Sequence, residues 1–305
     1  MRIEKHAVLA GHTGSVYALL PFGDSGLFSA GSDRLVAEWD LQKPEEGNVL
    51  VKTSDIVYSL LQLPSGKLLV GQASGGIHVI DLASRKEERL LQYHRSAVFN
   101  LVHIPQFQMV ISLAGDGELG VFDDAELKLQ KVFTLGGGKL RGISVNPEKN
   151  LMALGSGDGV IRIFSLPGME VVASWQAHLP GYSANAVTFS PDGRWLLSGS
   201  RDAMLKVHDV ANGFELVHDI PAHNYAIYSI EYHSDGLVFA TASRDKTIKI
   251  WNANTFEVMQ RIDKERSMGH VNSVNKIVWH EGSNQLISAS DDRSVMVWNS
   301  IIDNS

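Results

Sequence analysis

Residues 222–262, AHNYAIYSIEYHSDGLVFATASRDKTIKIWNANTFEVMQRI, hold four short runs rich in β-branched and aromatic residues, at 226–232, 237–242, 247–251 and 258–262. Between them stand Ser234-Asp235-Gly236, Ser243-Arg244-Asp245-Lys246 and Asn252-Ala253-Asn254, whose Asx and glycine chemistry reverses a chain within a few residues. In Ile248-Lys249-Ile250, as in Leu205-Lys206-Val207, apolar and charged residues alternate with the two-residue period of a strand. No segment of the chain sustains a helical period. The stretch therefore predicts a four-stranded antiparallel meander.

The third run of this unit ends in Trp251-Asn252, and the pair has counterparts along the whole chain. Trp39-Asp40, Ile80-Asp81, Phe122-Asp123, Phe164-Ser165, His208-Asp209 and Trp298-Asn299 complete a ladder with spacings of 41, 42, 42, 44, 43 and 47 residues. A unit of this length repeated seven times is a stack or ring of four-stranded sheets. The units predicted are 9–40, 47–81, 89–123, 131–165, 172–209, 216–252 and 258–299, all within one domain, 1–305. The ends favour a ring. Residues 5–9 form a strand without a blade of its own, and the last unit lacks an outer fourth strand. Pairing residues 1–10 onto the final unit satisfies both and removes two exposed edges. The expected fold class is all-β, a seven-bladed β-propeller of four-stranded antiparallel blades closed by the N-terminal strand.

A Gly-His pair, a later Asp and an aromatic six residues beyond that Asp occur together at Gly11-His12, Asp33 and Trp39, and again at Gly269-His270, Asp292 and Trp298. The sixth unit has Ala222-His223, Asp245 and Trp251. On these motifs the chain resembles the WD-repeat β-propeller family over essentially its whole length. The resemblance implies a buried hydrogen-bond relay in each complete repeat. The sets are His12–Ser29–Asp33–Trp39, His223–Thr241–Asp245–Trp251 and His270–Ser288–Asp292–Trp298, with a partial set His178–Ser198–Asp202 in which His208 takes the Trp position.

Ser, His and Asp together also suggest a nucleophilic triad. Repetition argues against it, because catalysis needs one exposed nucleophile and a blade-stabilising network needs several buried copies. No catalytic residue is assigned. His12, His94, His178, His223 and His270 fall one to a repeat and cannot converge on one ion, while His103, His218, His233 and His280 read as solvated or hydrogen-bonded surface residues, so neither a metal nor a cofactor is expected. Gly136-Gly137-Gly138-Lys139 hints at a phosphate loop, but no helix follows, and the segment reads as the turn that replaces the Gly-His corner of the fourth unit.

In the family, partners dock around the channel mouth, on the face built from the turns that hold the His and the Asp. The resemblance therefore directs attention to the position five residues past the His and the one before the Asp. The first holds Tyr17, Tyr58, Phe99, Arg141, Asn185, Tyr228 and Asn275; the second holds Ser32, Ala73, Gly115, Gly157, Arg201, Arg244 and Asp291. Aromatics beside Arg141, Arg201 and Arg244 suit a protein or peptide segment carrying apolar and acidic residues. Loops at 178–183 and 263–268 adjoin that face and could add specificity.

Composition bounds the rest. Lys and Arg number 27 against 34 Asp and Glu, a net charge of −7, so the overall field opposes nucleic acid. Cysteine is absent, which excludes disulfides and thiolate chemistry. There is no 18-residue apolar run and the N-terminus lacks a signal-peptide core, so a cytoplasmic location without membrane contact is expected. The expected function is a non-catalytic interaction scaffold or adaptor. The alternatives are an architectural subunit packing by its rim or opposite face, and a propeller hydrolase, against which the mouth offers only Asp291 as a carboxylate.

Overall fold

The structure, a computed structural model, describes residues 2–301. It is an all-β, seven-bladed propeller in which each blade is a four-stranded antiparallel sheet. Blade 6 contains Ile227–Tyr232, Val238–Ser243, Ile248–Asn252 and Val258–Ile262, within one residue of the runs read from the sequence. In six blades the strands follow one another along the chain; in the last, Val274–His280, Gln285–Ser290 and Val295–Ile301 take Arg2–Leu9 as their fourth. That strand begins earlier than the 5–9 run suggested. Leu9 pairs with Val295 and Arg2 with Ile301, and Ile3 and Leu9 are both buried. A further tie comes from blade 6, where the Gln260 side-chain amide both accepts from Ile3 N (2.8 Å) and donates to Ile3 O (2.7 Å).

Two compact units make up the chain. In the unit Met1–Val57 with Tyr228–Ser305, apolar residues of successive blades interlock: Ile3, Ile250 and Ile262 meet Ile277 and Trp298 in one core, and Leu9, Val16 and Trp39 meet Ile287 and Val297 in the next. In the unit Tyr58–Ile227 the equivalent cores join Leu69 to Val98 and Phe122, Leu113 to Leu140 and Phe164, and Ile161 to Val187 and Leu196. The middle strands supply both faces of these cores, which is why runs such as Gly26–Gly31 and Val238–Ser243 are buried at every position.

Each outer strand carries one extra residue, opposite the Trp position in six blades and two residues earlier in blade 1. The unpaired residues are His6, Leu50, Glu88, Gln130, Val172, Val217 and Met259. Such a bulge bends the strand and interrupts the row of free backbone groups that would otherwise template pairing with another chain. A four-residue helix, Lys264–Ser267, interrupts the loop into the last blade, capped by Asp263, whose side chain accepts from Arg266 N (2.8 Å).

Candidate functional site

The inner strands are Val16–Phe22, Val57–Gln62, Val98–Ile104, Leu140–Asn146, Ala184–Phe189, Ile227–Tyr232 and Val274–His280. In five of them the pairing register jumps by one residue near the start, and the residue skipped is Tyr17, Phe99, Arg141, Asn185 or Asn275. A bulge re-aims the side chain it carries. The position five residues beyond the His is thus released from the sheet ladder, and each of the seven side chains there is half-buried.

Within the unit Tyr58–Ile227 these side chains touch. Tyr58 and Phe99 meet edge to face at 5.2 Å between centroids, and the Arg141 guanidinium lies 3.9 Å over the Phe99 ring. Asn100 Nδ2 donates to Arg141 O (3.2 Å), and Asn185 Nδ2 donates to Ile227 O (3.0 Å). Within the other unit Asn275 Nδ2 donates to Val16 O (3.0 Å) and to Asp291 Oδ1 (2.8 Å), so two predicted positions of one blade are bonded together. Tyr17 and Tyr228 are half-buried there, while Arg201 and Arg244, in separate units, are exposed.

In blade 1, His12 Nε2 is 2.7 Å from Ser29 Oγ, Nδ1 is 2.7 Å from Asp33 Oδ2, and Trp39 Nε1 donates to Ser29 Oγ at 2.8 Å. An indole N–H only donates, so Ser29 accepts from Trp39 and gives its own proton to Nε2. His12 then carries its proton on Nδ1, toward Asp33. Blade 7 repeats the pattern with His270, Ser288, Asp292 and Trp298 at 2.8, 2.8 and 2.9 Å. In blade 6, Trp251 Nε1 donates to Thr241 Oγ1 (2.9 Å), and His223 is buried.

The proton order matches a nucleophilic triad, but Ser29, Ser198 and Ser288 have no exposed surface. These hydroxyls, repeated in several blades, lie out of reach of solvent. Burial alone would raise the Asp292 pKa; the bonds from His270, Ser294 and Val271 N outweigh it and hold the carboxyl far below the usual range.

A relay the sequence reading did not list stands in blade 3. His94 reaches Ser112 Oγ at 2.7 Å and Asp116 Oδ2 at 3.3 Å, with Phe122 in the Trp position. Its signal was the one-per-repeat His, obscured because Tyr93 precedes it in place of Gly. Tyr93 donates its hydroxyl to Glu118 (3.0 Å); burial first, and then Glu118, push its pKa up to about 12. His94, Asp116 and Glu118 bring ligand-type atoms within 4.8 Å of one another, but each of the three is already hydrogen-bonded in the relay or to Tyr93.

One expectation about the histidines needs correction. His280 is not a surface residue: it is buried and its Nε2 lies 3.0 Å from Gly26 O. His103, grouped with it, is partly exposed and hydrogen-bonded to Asp124 (2.9 Å), in keeping with the expectation. In blade 4, Gly137 lies against the Asp158 carboxylate so closely that a Cβ would sit 2.3 Å from Oδ2, and its φ of +70° also requires glycine. Arg162 donates to Ser156 Oγ (2.8 Å), giving this blade a His-free polar cluster.

In blade 5, His178 binds Asp202 (3.1 Å) and Ser198 (2.9 Å), but His208 does not extend the relay. It accepts from Trp175 Nε1 (3.2 Å) on the neighbouring blade. Burial, then the nearby His178, lower its pKa to about 4. The folded state thus binds this proton less readily than the unfolded chain. The stability linked to His208 is complete above its unfolded pKa of 6.5 and is lost as pH falls from there toward 4. The shift corresponds to about 3 kcal/mol. Urea unfolding at pH 7 and pH 4.5 should show the loss, and His208→Phe should flatten it; an unchanged slope would remove His208 as its source.

Comparison with known proteins follows the same lines. The model of the WD domain, G-beta repeat, matches residues 3–40, 169–209, 214–252 and 263–299. Among curated proteins the chain is similar to Protein HIR1 of Eremothecium gossypii, 29% identical over 51% of this chain and 22% of that protein. It is also similar to nuclear distribution protein PAC1 of Coccidioides posadasii, 32% identical over 49% of this chain and 34% of that one. The chain thus spans about a fifth and about a third of the lengths of these two relatives. The solved WD40 β-propeller domain of Doa1 superposes with a TM-score of 0.82 over 98% of this chain and 97% of its own, at 20% identity. With its repeats matched over just over half of its residues, the chain belongs to the WD40 repeat family.

Proposed function

We propose that this chain is a non-catalytic protein-interaction scaffold, and that the bulged ends of its inner strands receive a protein segment. The observation that carries the reading is the contiguous Tyr58–Phe99–Arg141 stack. Three side chains from three successive blades, each set out of its ladder or half-buried beside one that is, form a rigid amphipathic surface. Stacking on Phe99 orients the Arg141 plane before any partner arrives, which lowers the ordering cost of binding. Aromatic and Arg side chains in such settings are the usual energetic anchors of interfaces. On the other unit, Tyr17, Tyr228, Asn275 and the exposed Arg244 are proposed to act in the same way. The occupant that fits is a segment with apolar and acidic residues. The named relatives, a nuclear distribution protein and Protein HIR1, are compatible with a scaffold role.

Affinity capture from the native cell with the wild-type chain and with Tyr58→Ala/Arg141→Ala tests it. The double variant should lose its partner by about tenfold or more in Kd, while Tm stays within a few degrees. Undiminished capture would refute the assignment of this surface.

A further inference from the structure

Blade 3 has His94, Ser112 and Asp116 at the relay positions, but Phe122 where blades 1 and 7 have Trp. The difference changes which nitrogen of the imidazole carries the proton. In blades 1 and 7 the indole N–H occupies the serine oxygen, so the serine gives its hydrogen to Nε2 and Nδ1 keeps its own, directed at the Asp. Phenylalanine has no N–H. Ser112 Oγ can therefore accept from His94 Nε2 (2.7 Å), which leaves a lone pair on Nδ1, the form in which an imidazole ligates a metal.

The distances agree. Nδ1 and the Asp oxygen are 2.7 and 2.8 Å apart in blades 1 and 7, but 3.3 Å apart in blade 3. That is long for a hydrogen bond, whereas two ligands of a tetrahedral Zn2+, each about 2.0–2.1 Å from the ion, stand about 3.3–3.4 Å apart. Blade 5, with His208 at the Trp position, has an intermediate 3.1 Å. What distinguishes blade 3 from it is the residue two past the Asp, which is Glu118 here and Met204 there.

Ligand-type atoms of His94, Asp116 and Glu118 thus gather within 4.8 Å of one another in a single blade. Histidines of different blades cannot share an ion; here one histidine is joined by carboxylates of its own blade. The His94 side chain has no exposed surface, that of Asp116 has 13%, and Glu118 is half-buried. Of their present hydrogen bonds, an ion would displace the one between Nδ1 and Asp116. The others orient the ligands as an outer shell does: Ser112 fixes the imidazole tautomer, Arg95 N (2.9 Å) and Glu118 N (3.1 Å) hold the Asp116 carboxylate, and the Tyr93 hydroxyl holds Glu118 Oε2 (3.0 Å). We propose that His94 Nδ1, Asp116 and Glu118 form a binding site for a divalent transition-metal cation, best matched by Zn2+, with a fourth position left to water. Two carboxylates and a neutral imidazole balance the charge of the ion, and the nitrogen ligand selects against Mg2+ and Ca2+, which take oxygen ligands. The site does not depend on the scaffold reading.

Zinc titration into the full chain, stripped with EDTA and desalted, tests it. Binding is read by competition with a chromogenic chelator and, with Co2+ in place of Zn2+, by visible absorption. The wild-type chain should bind Zn2+ in preference to Mg2+ and Ca2+, and Co2+ should give the intense d–d bands of a four-coordinate site. Glu118→Gln, which removes one ligand at a partly exposed position, should weaken Zn2+ binding about tenfold or more. Phe122→Trp should do the same without touching a ligand, because it returns an indole donor to Ser112 and the proton to Nδ1, while circular dichroism stays that of the wild type. No binding of Zn2+, equal binding by the wild type and Glu118→Gln, or preference for Mg2+ or Ca2+ would overturn the proposal. So would undiminished binding by a folded Phe122→Trp chain; should that variant not fold, Glu118→Gln decides.

Discussion

Deletion of residues 1–9 should abolish the cooperative fold. The strand Arg2–Leu9 is the outer member of the last blade, and its loss strips the covering from Val295–Ile301 along seven paired positions. Two buried apolar side chains, Ile3 and Leu9, go with it. Their transfer alone is worth about 1.5–3 kcal/mol each, and the cavities left beside Trp298 and Val16 add to that. The backbone groups of Val295–Ile301 that paired with it become an open edge, and Gln260 loses both bonds to Ile3. A total on the order of 5 kcal/mol or more equals the whole stability of many domains. Size-exclusion chromatography and urea unfolding should show an unfolded or edge-paired, oligomeric product. A monomer as resistant to heat and protease as the full chain would contradict the closing role of this strand.

Asp292→Ala should be among the most destabilising single substitutions. Its carboxylate, 7% exposed, accepts from His270 Nδ1 (2.8 Å), Val271 N (3.0 Å), Ser294 N (3.1 Å) and Ser294 Oγ (2.6 Å). Removing it leaves the buried His270 Nδ1 and the partly buried Ser294 donors without their acceptor and frees the His270 ring, whose Nε2 lies 2.8 Å from Ser288 Oγ. Breaking such a network costs about 3–5 kcal/mol. Asp116→Ala should cost clearly less, because its bond to His94 is 3.3 Å, its side chain is 13% exposed and Phe122 makes no indole bond. Urea midpoints rank the two. Equal midpoints would mean that the relay length and the Trp have no bearing on stability. The sign with pH follows from the same bonds: because the folded Asp292 pKa is lowered, its contribution is present above the unfolded value of 3.8 and is lost below it as acid protonates the carboxyl.

Much of this was legible in the chain because the determinants are local and repeated. Turn chemistry, two-residue alternation and the phase of His, Asp and Trp are written within each unit, so seven copies state the blade seven times. The relay in blade 3 and the blade 5 exception were harder to see, each for its own reason. Tyr93 displaced the Gly that flags the motif, and His208 shares the polarity of a relay member but is turned to Trp175 of another blade. The burial of His280 likewise depends on Gly26, more than two hundred residues away in sequence.

Strand number, turn positions and the His, Ser and Asp of the relays in blades 1 and 7 were thus determined by the sequence itself, since hydrogen-bonding capacity and polarity period are properties of neighbouring residues. Which inner-strand side chains are released from their ladders, that Phe99 holds the Arg141 guanidinium, and that His208 meets Trp175 were decided only in three dimensions. Bulges leave no residue signature of their own, and contacts between blades join positions about forty residues apart, where no local pattern carries information.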